Sequence, residues 1–122
     1  MSERGSGSVL AIAAITLVTF VGLVVVASAQ IVVARSRAMA AADAAALAAA
    51  PMTFPPVAGS RDPEHEALSL AAANGARLLL CHCTRVPTLE PRQVEVTVAV
   101  PVDLPILGRR WISASSAAEF VP

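Results

Sequence analysis

No charged side chain stands between Arg4 and Arg35, and this interval limits what the chain can fold into more than any other feature. The apolar run Val9 to Val33 continues, without a Pro or a turn signal, into the alanine-rich stretch Ala34 to Ala50. A bilayer's hydrocarbon core is crossed by about 20 apolar helical residues, and this run exceeds that by enough to allow tilt. The pattern predicts one long helix over residues 8–50 whose first half lies in a membrane. Its interruptions are Thr16, Thr19, Gly22, Ser28 and Gln30. A spanning helix tolerates all of them, because hydroxyls bond back to the preceding turn and small residues permit close helix contact.

The composition fits a chain that is not an ordinary globular domain: 56% of residues are hydrophobic but only 3% aromatic, so the apolarity comes from Ala, Val and Leu. Nine acidic residues balance nine basic ones, every one of them Arg. A formal charge of zero gives no indication of nucleic acid as a partner.

After Ala50, Pro51, Pro55, Pro56, Gly59 and Pro63 predict a linker over residues 51–63 outside regular structure. The segment Glu64 to Ala73 then reads as a short helix, with acids in its first turn and Asn74-Gly75 as its stop. Arg77 to Thr84 is a short apolar run. From Gln93 to Val100 the chain alternates, Val94, Val96, Val98 and Val100 against Gln93, Glu95, Thr97 and Ala99, which is the pattern of a half-buried strand. A third strand over Arg109 to Phe120, after a Pro101 to Gly108 connection, is the weakest assignment because of its Ser and Ala content. The expected fold class is α+β: a long transmembrane helix continuing into an Ala-rich stalk, then a small helix on a two- or three-stranded antiparallel sheet in residues 64–122. So small a core needs help, from the Ala-rich end of the long helix, from oligomerisation or from a disulfide.

The N-terminus admits more than one reading. Ala27-Ser28-Ala29 before Gln30 has the form of a signal-peptidase site, although the apolar region is longer than usual and runs past it. A plain single-span anchor is the other reading. The amine and Arg4 on one side face Arg35 and Arg37 on the other, so charge counting leaves its orientation open.

The segment ERGSGSVL before the apolar helix, ARSRAMAAADAAALAAA after it, and NGARLLLC followed by the strand VEVTVAV together resemble the TadE/TadG-like proteins of Flp (tight adherence) pilus systems, in particular the short actinobacterial TadE-like form. The resemblance implies a pilin-like or minor-pilin-like protein with residues 1–7 as a cytoplasmic leader, a single span and an extracytoplasmic C-terminal domain. Its partners would be the membrane and other pilus or secretion-system subunits in an oligomeric assembly, with no small-molecule substrate and no cofactor. In the family's leader a peptidase cuts after a Gly, with a Glu five residues beyond. Gly5 and Ser6 match that cut, but Leu10 stands where the Glu would be, which argues against processing. Asp43 matches the Asp of the family motif. Relatives of this form commonly pair a strand cysteine with one near the second helix, where this chain reads PEHEALSL and has none.

Few residues suggest chemistry. Cys81-His82-Cys83 on a strand would direct the two thiols to one face and His82 to the other, so the three do not converge on an ion. Cysteines two apart on an extended strand sit near the limit of disulfide reach, which leaves a strained bridge, free thiols or an intermolecular bridge open. Arg35, Met39, Asp43 and Leu47 share an i, i+4 stripe, from which Asp43 can meet Arg35 or Arg37 of a neighbouring subunit. The alanines offer a smooth face for another helix. The acids around His65 are ordinary helix-start features, and no catalytic or metal motif occurs. Arg109-Arg110-Trp111 suits either a membrane surface or a strand edge. The reading that follows is a non-enzymatic membrane component acting by helix packing. The alternative is a binding module, tethered or released after Ala29, that engages a partner through a strand edge.

Overall fold

The computed structural model describes residues 3–121; Met1 and Ser2 of the expected leader and Pro122 of the expected domain lie outside them. Helix α1 runs unbroken over Glu3–Met52. It is followed by a single turn, α2 (Pro55–Ala58), by α3 (Pro63–Ala73), and by strands β1 (Arg77–His82), β2 (Arg92–Leu104) and β3 (Gly108–Phe120). The strands form one antiparallel sheet in the order β1-β2-β3. The α+β class and the long helix are as the sequence predicts.

The two halves of α1 meet different surroundings. Along Val9 to Val33 the large apolar side chains are exposed on every side, and no part of the helix's most apolar stretch is buried. Hydroxyls inside this run are satisfied within the helix: Thr16 donates to the Ile12 carbonyl (2.8 Å), Thr19 to Ile15 (2.9 Å) and Ser28 to Val24 (2.8 Å). Beyond it, Ala34, Ala38, Ala41, Ala42, Ala45, Ala46, Ala49 and Ala50 are buried, a stripe at helical spacing. Against it lies the inner face of β2, where Val94, Val96, Val98, Val100, Val102 and Leu104 are all buried. On the inward side of β3 the small residues Ala114, Ser116 and Ala118 lie between Ile112 and Phe120 and complete the trough. The core is thus shared between the long helix and the sheet. A methyl group is the largest side chain most of the stripe carries, which lets the helix backbone approach the valines closely.

Several boundaries differ from the sequence expectation. Pro51 does not end α1 at Ala50; it falls in the last turn, where the missing donor costs one bond and the helix closes at Met52. The expected linker is largely ordered: α2 buries Ala58, and Asp62 caps α3 by accepting from the His65 amide (3.1 Å), with Pro63 as the first helical residue. At the far end of α3, Gly75 (φ 70°) donates to Ala72 and Ala76 to Ala71, a glycine-dependent reverse turn that the Asn74-Gly75 pair foreshadows. β2 does not stop at Val100. Its pairing with β1 ends at Arg77↔Ala99, so Pro101 falls where β2 has a free side and its missing N–H is tolerated. β3 forms despite its Ser and Ala content because it pairs with β2 along its whole length, from Leu104↔Gly108 to Arg92↔Phe120.

If the alanine stripe is core rather than an intermolecular surface, Ala45→Leu will overpack it and lower stability by about 1–3 kcal/mol. The same change at exposed Ala40 is expected to stay within about 0.5 kcal/mol. Thermal unfolding of the full chain in detergent, followed by circular dichroism, measures both.

Candidate functional site

Three surfaces of the molecule bear on function. The first is the outer side of α1. Arg35, Arg37, Met39, Asp43 and Leu47 are exposed, with Met39 at 45% and Leu47 at 68%, while the alanines between them turn inward. The structure therefore corrects the expectation that the alanines as a group face another helix. Those in the buried stripe pack against the chain's own sheet and α3, and the face left to neighbours is that of Met39, Ala40, Asp43 and Leu47. Among the described residues Arg109 forms an ion pair with Asp103 and the His82 ring lies 3.5 Å from the Glu95 carboxylate, and Asp43 takes part in neither contact. Gly5 and Ser6 lie within the first turns of α1, with open space where a side chain on Gly5 would stand.

The second is the end of the molecule farthest from the apolar run of α1. The Arg92 guanidinium donates to the carbonyls of Thr53 (3.3 Å), Val86 and Thr88. It also lies over the rings of Phe54 (5.9 Å) and Phe120 (5.8 Å), which contact each other. Val86 in turn donates its amide to Thr53 (3.0 Å), and the buried Thr53 hydroxyl donates to Ala50 (2.7 Å). One cation thus ties the end of α1 to the start of β2 and the loop before it, where carbonyls need donors. Sequence reading missed this cluster, although Phe54 after the helix and Phe120 at the end of the last strand are the chain's two phenylalanines outside the apolar run.

The third is the β1 edge. A bulge between Leu78 and Leu80 shifts the register so that Cys81 faces Val96 on the inner side and His82 faces Glu95 on the outer, Nδ1 to Oε2 at 3.5 Å. The strand ends at His82, so Cys83 is not held in extended backbone. Its Cα lies 5.3 Å from that of Cys81, within disulfide range, and the two are joined. Among the described residues no group of three or more His, Cys, Asp or Glu side chains is placed to hold a metal ion. Asp62, Glu64 and His65 line shallow open clefts beside Cys81.

The long helix is the feature that known proteins share. Residues 5–52 match the family model of Flp pilus-assembly TadE/G-like proteins. This bears out the resemblance read from the sequence, and it supports involvement in Flp pilus assembly and a membrane location for the helix. No curated protein and no solved structure matches the chain. The match begins in the first turn of α1 and ends with its last residue, so the TadE/G-like segment holds both the lipid-length apolar run and the alanine stripe, while α3 and the sheet lie outside it.

Two measurements follow. Arg92→Ala leaves carbonyls without their charged donor and should cost about 1.5–3 kcal/mol in thermal unfolding, with Arg92→Lys recovering part of it. For the cysteines, thiol alkylation of the unreduced, unfolded chain is expected to label neither Cys81 nor Cys83, and alkylation after reduction to label both.

Proposed function

We propose that this chain is a single-span, non-enzymatic membrane protein that serves as a pilin-like or minor-pilin-like component of Flp/Tad-type pilus assembly. Residues 1–7 would face the cytoplasm, and the part built from α3 and the sheet would stand outside the membrane. The observation that carries the reading is the coincidence of the family match with one continuous helix, exposed and apolar along its first half and committed to the sheet along its second. Such a helix transmits a position set in the bilayer to the exported part without a hinge. Subunit contacts then fall to the exposed face bearing Arg35, Arg37, Met39, Asp43 and Leu47, where Asp43 is free to meet an arginine of a neighbouring subunit.

Release after Ala29 by signal peptidase fits the structure less well. Ala27 packs against the cluster of Ala34, Val102 and Leu104, and cleavage there would strip it away and leave the end of the β2-β3 hairpin less covered.

Deleting the gene in the host is expected to abolish or strongly reduce Flp-type surface fibres, seen by electron microscopy. The Asp43→Arg, Leu47→Asp double variant should reach the membrane at normal abundance and still fail to restore them. Undiminished fibres in the deletion strain would overturn the assembly role.

A further inference from the structure

The turn between β2 and β3 is an unusual place for large apolar side chains. Ile106 is 89% exposed and Leu107 59%, and they sit at the tip of the longest hairpin in the fold. Ile106 also holds φ at 71°, the only positive value at a non-glycine residue among those described, in a three-residue turn closed by the Leu107 amide on the Pro105 carbonyl (2.9 Å). A β-branched residue is disfavoured in that conformation, where Gly or Asn would sit without strain. Neither burial in the protein nor turn geometry accounts for Ile at this position.

Its height along α1 does. β2 starts at Arg92, whose guanidinium reaches Thr53 at the far end of the helix, and runs back beside α1 to Leu104. At about 3.3 Å per strand residue that is about 40 Å, or about 26 helical residues at 1.5 Å each. Leu104 is thereby brought level with the neighbourhood of Ala27, and the packing of Val102 and Leu104 with Ala27 and Ala34 agrees. The tip is therefore about 12 Å or more below Arg35, the first charge after the apolar run. If the hydrocarbon core begins near Val9, its about 30 Å thickness ends close to Ser28. On that placement Leu104 meets the boundary, and Ile106 and Leu107 pass it.

The flanking residues suit such a depth. Asp103 and Arg109, adjacent to the tip, pair with each other, Nε to Oδ1 at 3.1 Å, and the hydrogen bond and charge of Asp103 push the Arg109 guanidinium further up from its ordinary value. Mutual pairing lowers the cost of bringing both near an apolar layer. Trp111, about 10 Å higher along the sheet, lies at headgroup level with the Arg77 guanidinium over its ring at 4.3 Å, an arrangement common at interfaces.

We propose that Ile106 and Leu107 form a second membrane contact, inserting into the upper acyl region of the leaflet on the exported side while α1 crosses the bilayer. The occupant of this surface is phospholipid. The inference rests on the reading of Val9 to Val33 as a membrane span, and it adds a point of attachment that fixes the rotation of the helix about its own axis as well as its depth.

The test uses the full chain in phosphatidylcholine vesicles with Trp111→Phe as background, Trp111 being the only tryptophan. Leu107→Trp places a probe at the tip, and Phe20→Trp places one in the span. Far-UV circular dichroism matching the parent chain establishes that each is folded. The proposal predicts that the probe at position 107 loses most of its emission to lipids brominated high on the acyl chain, resists aqueous acrylamide, and is quenched less by deeply brominated lipids than the probe at position 20. A probe at 107 open to acrylamide and untouched by brominated lipid, with the probe at 20 quenched, overturns the tip insertion and leaves the span standing. Loss of lipid quenching at both positions overturns the span itself, and the tip with it.

Discussion

The contact between the alanine methyls of α1 and the valine ladder of β2 is the interaction on which the rest of the structure depends. α3 is too short and the three-stranded sheet too thin to enclose a core by themselves. The buried cluster is built from Ala38 to Ala50 on one side and Val94 to Val100 on the other, with Ala67 and Ala71 of α3 closing the flank. Apolar area removed from water contributes about 25 cal/mol per Å², and valines are the larger donors of that area here. The alanines contribute by being small: they set the distance at which a helix can lie along a sheet without voids. Elongation of any of them would push the helix away from all the valines it covers.

Two surroundings therefore share one helix. The sheet covers its second half, the apolar side chains of its first half are left uncovered by the protein, there is no break between them, and Arg92 ties the far end by taking up carbonyls of Thr53, Val86 and Thr88. A body built this way behaves as a rigid rod with a small sheet fixed to it. Displacement or rotation of the first half of α1 is carried directly to the sheet. It also means that the segment after the helix, although rich in proline, acts as a folded corner: Pro55, Asp62 and Pro63 each set a local conformation that turns the chain back along α1.

Much of this was legible from residue patterns, and the failures have identifiable causes. The long apolar helix was readable because an uncharged run of that length without Pro has few alternatives, and β2 because strict alternation of Val with polar residues has period two and no other. Asn74-Gly75 gave the end of α3 because the turn needs a positive φ that Gly75 supplies. The division of labour among the alanines was not readable: a face of Ala38, Ala42 and Ala45 and a face of Ala40 and Ala44 look alike in sequence, and only the sheet distinguishes them. β3 was obscured because small residues, Ala114, Ser116 and Ala118, fill the middle of its inward side between Ile112 and Phe120, which weakens the hydrophobic signal of a strand. Pro101 suggested an end to β2 that did not come, since its partner strand β1 had already ended. The Arg92 cluster joins residues far apart in the chain, through contacts that no local pattern carries.

Amide hydrogen exchange on the full chain in lipid nanodiscs, resolved separately over residues 38–50 of α1 and 94–100 of β2, tests the shared core most directly. The account predicts that the two segments are protected to the same degree and open together, because they belong to one buried cluster that α3 and β3 only flank. Free exchange over residues 38–50 while residues 94–100 remain protected would show that the sheet holds its own core without the helix, and would contradict it.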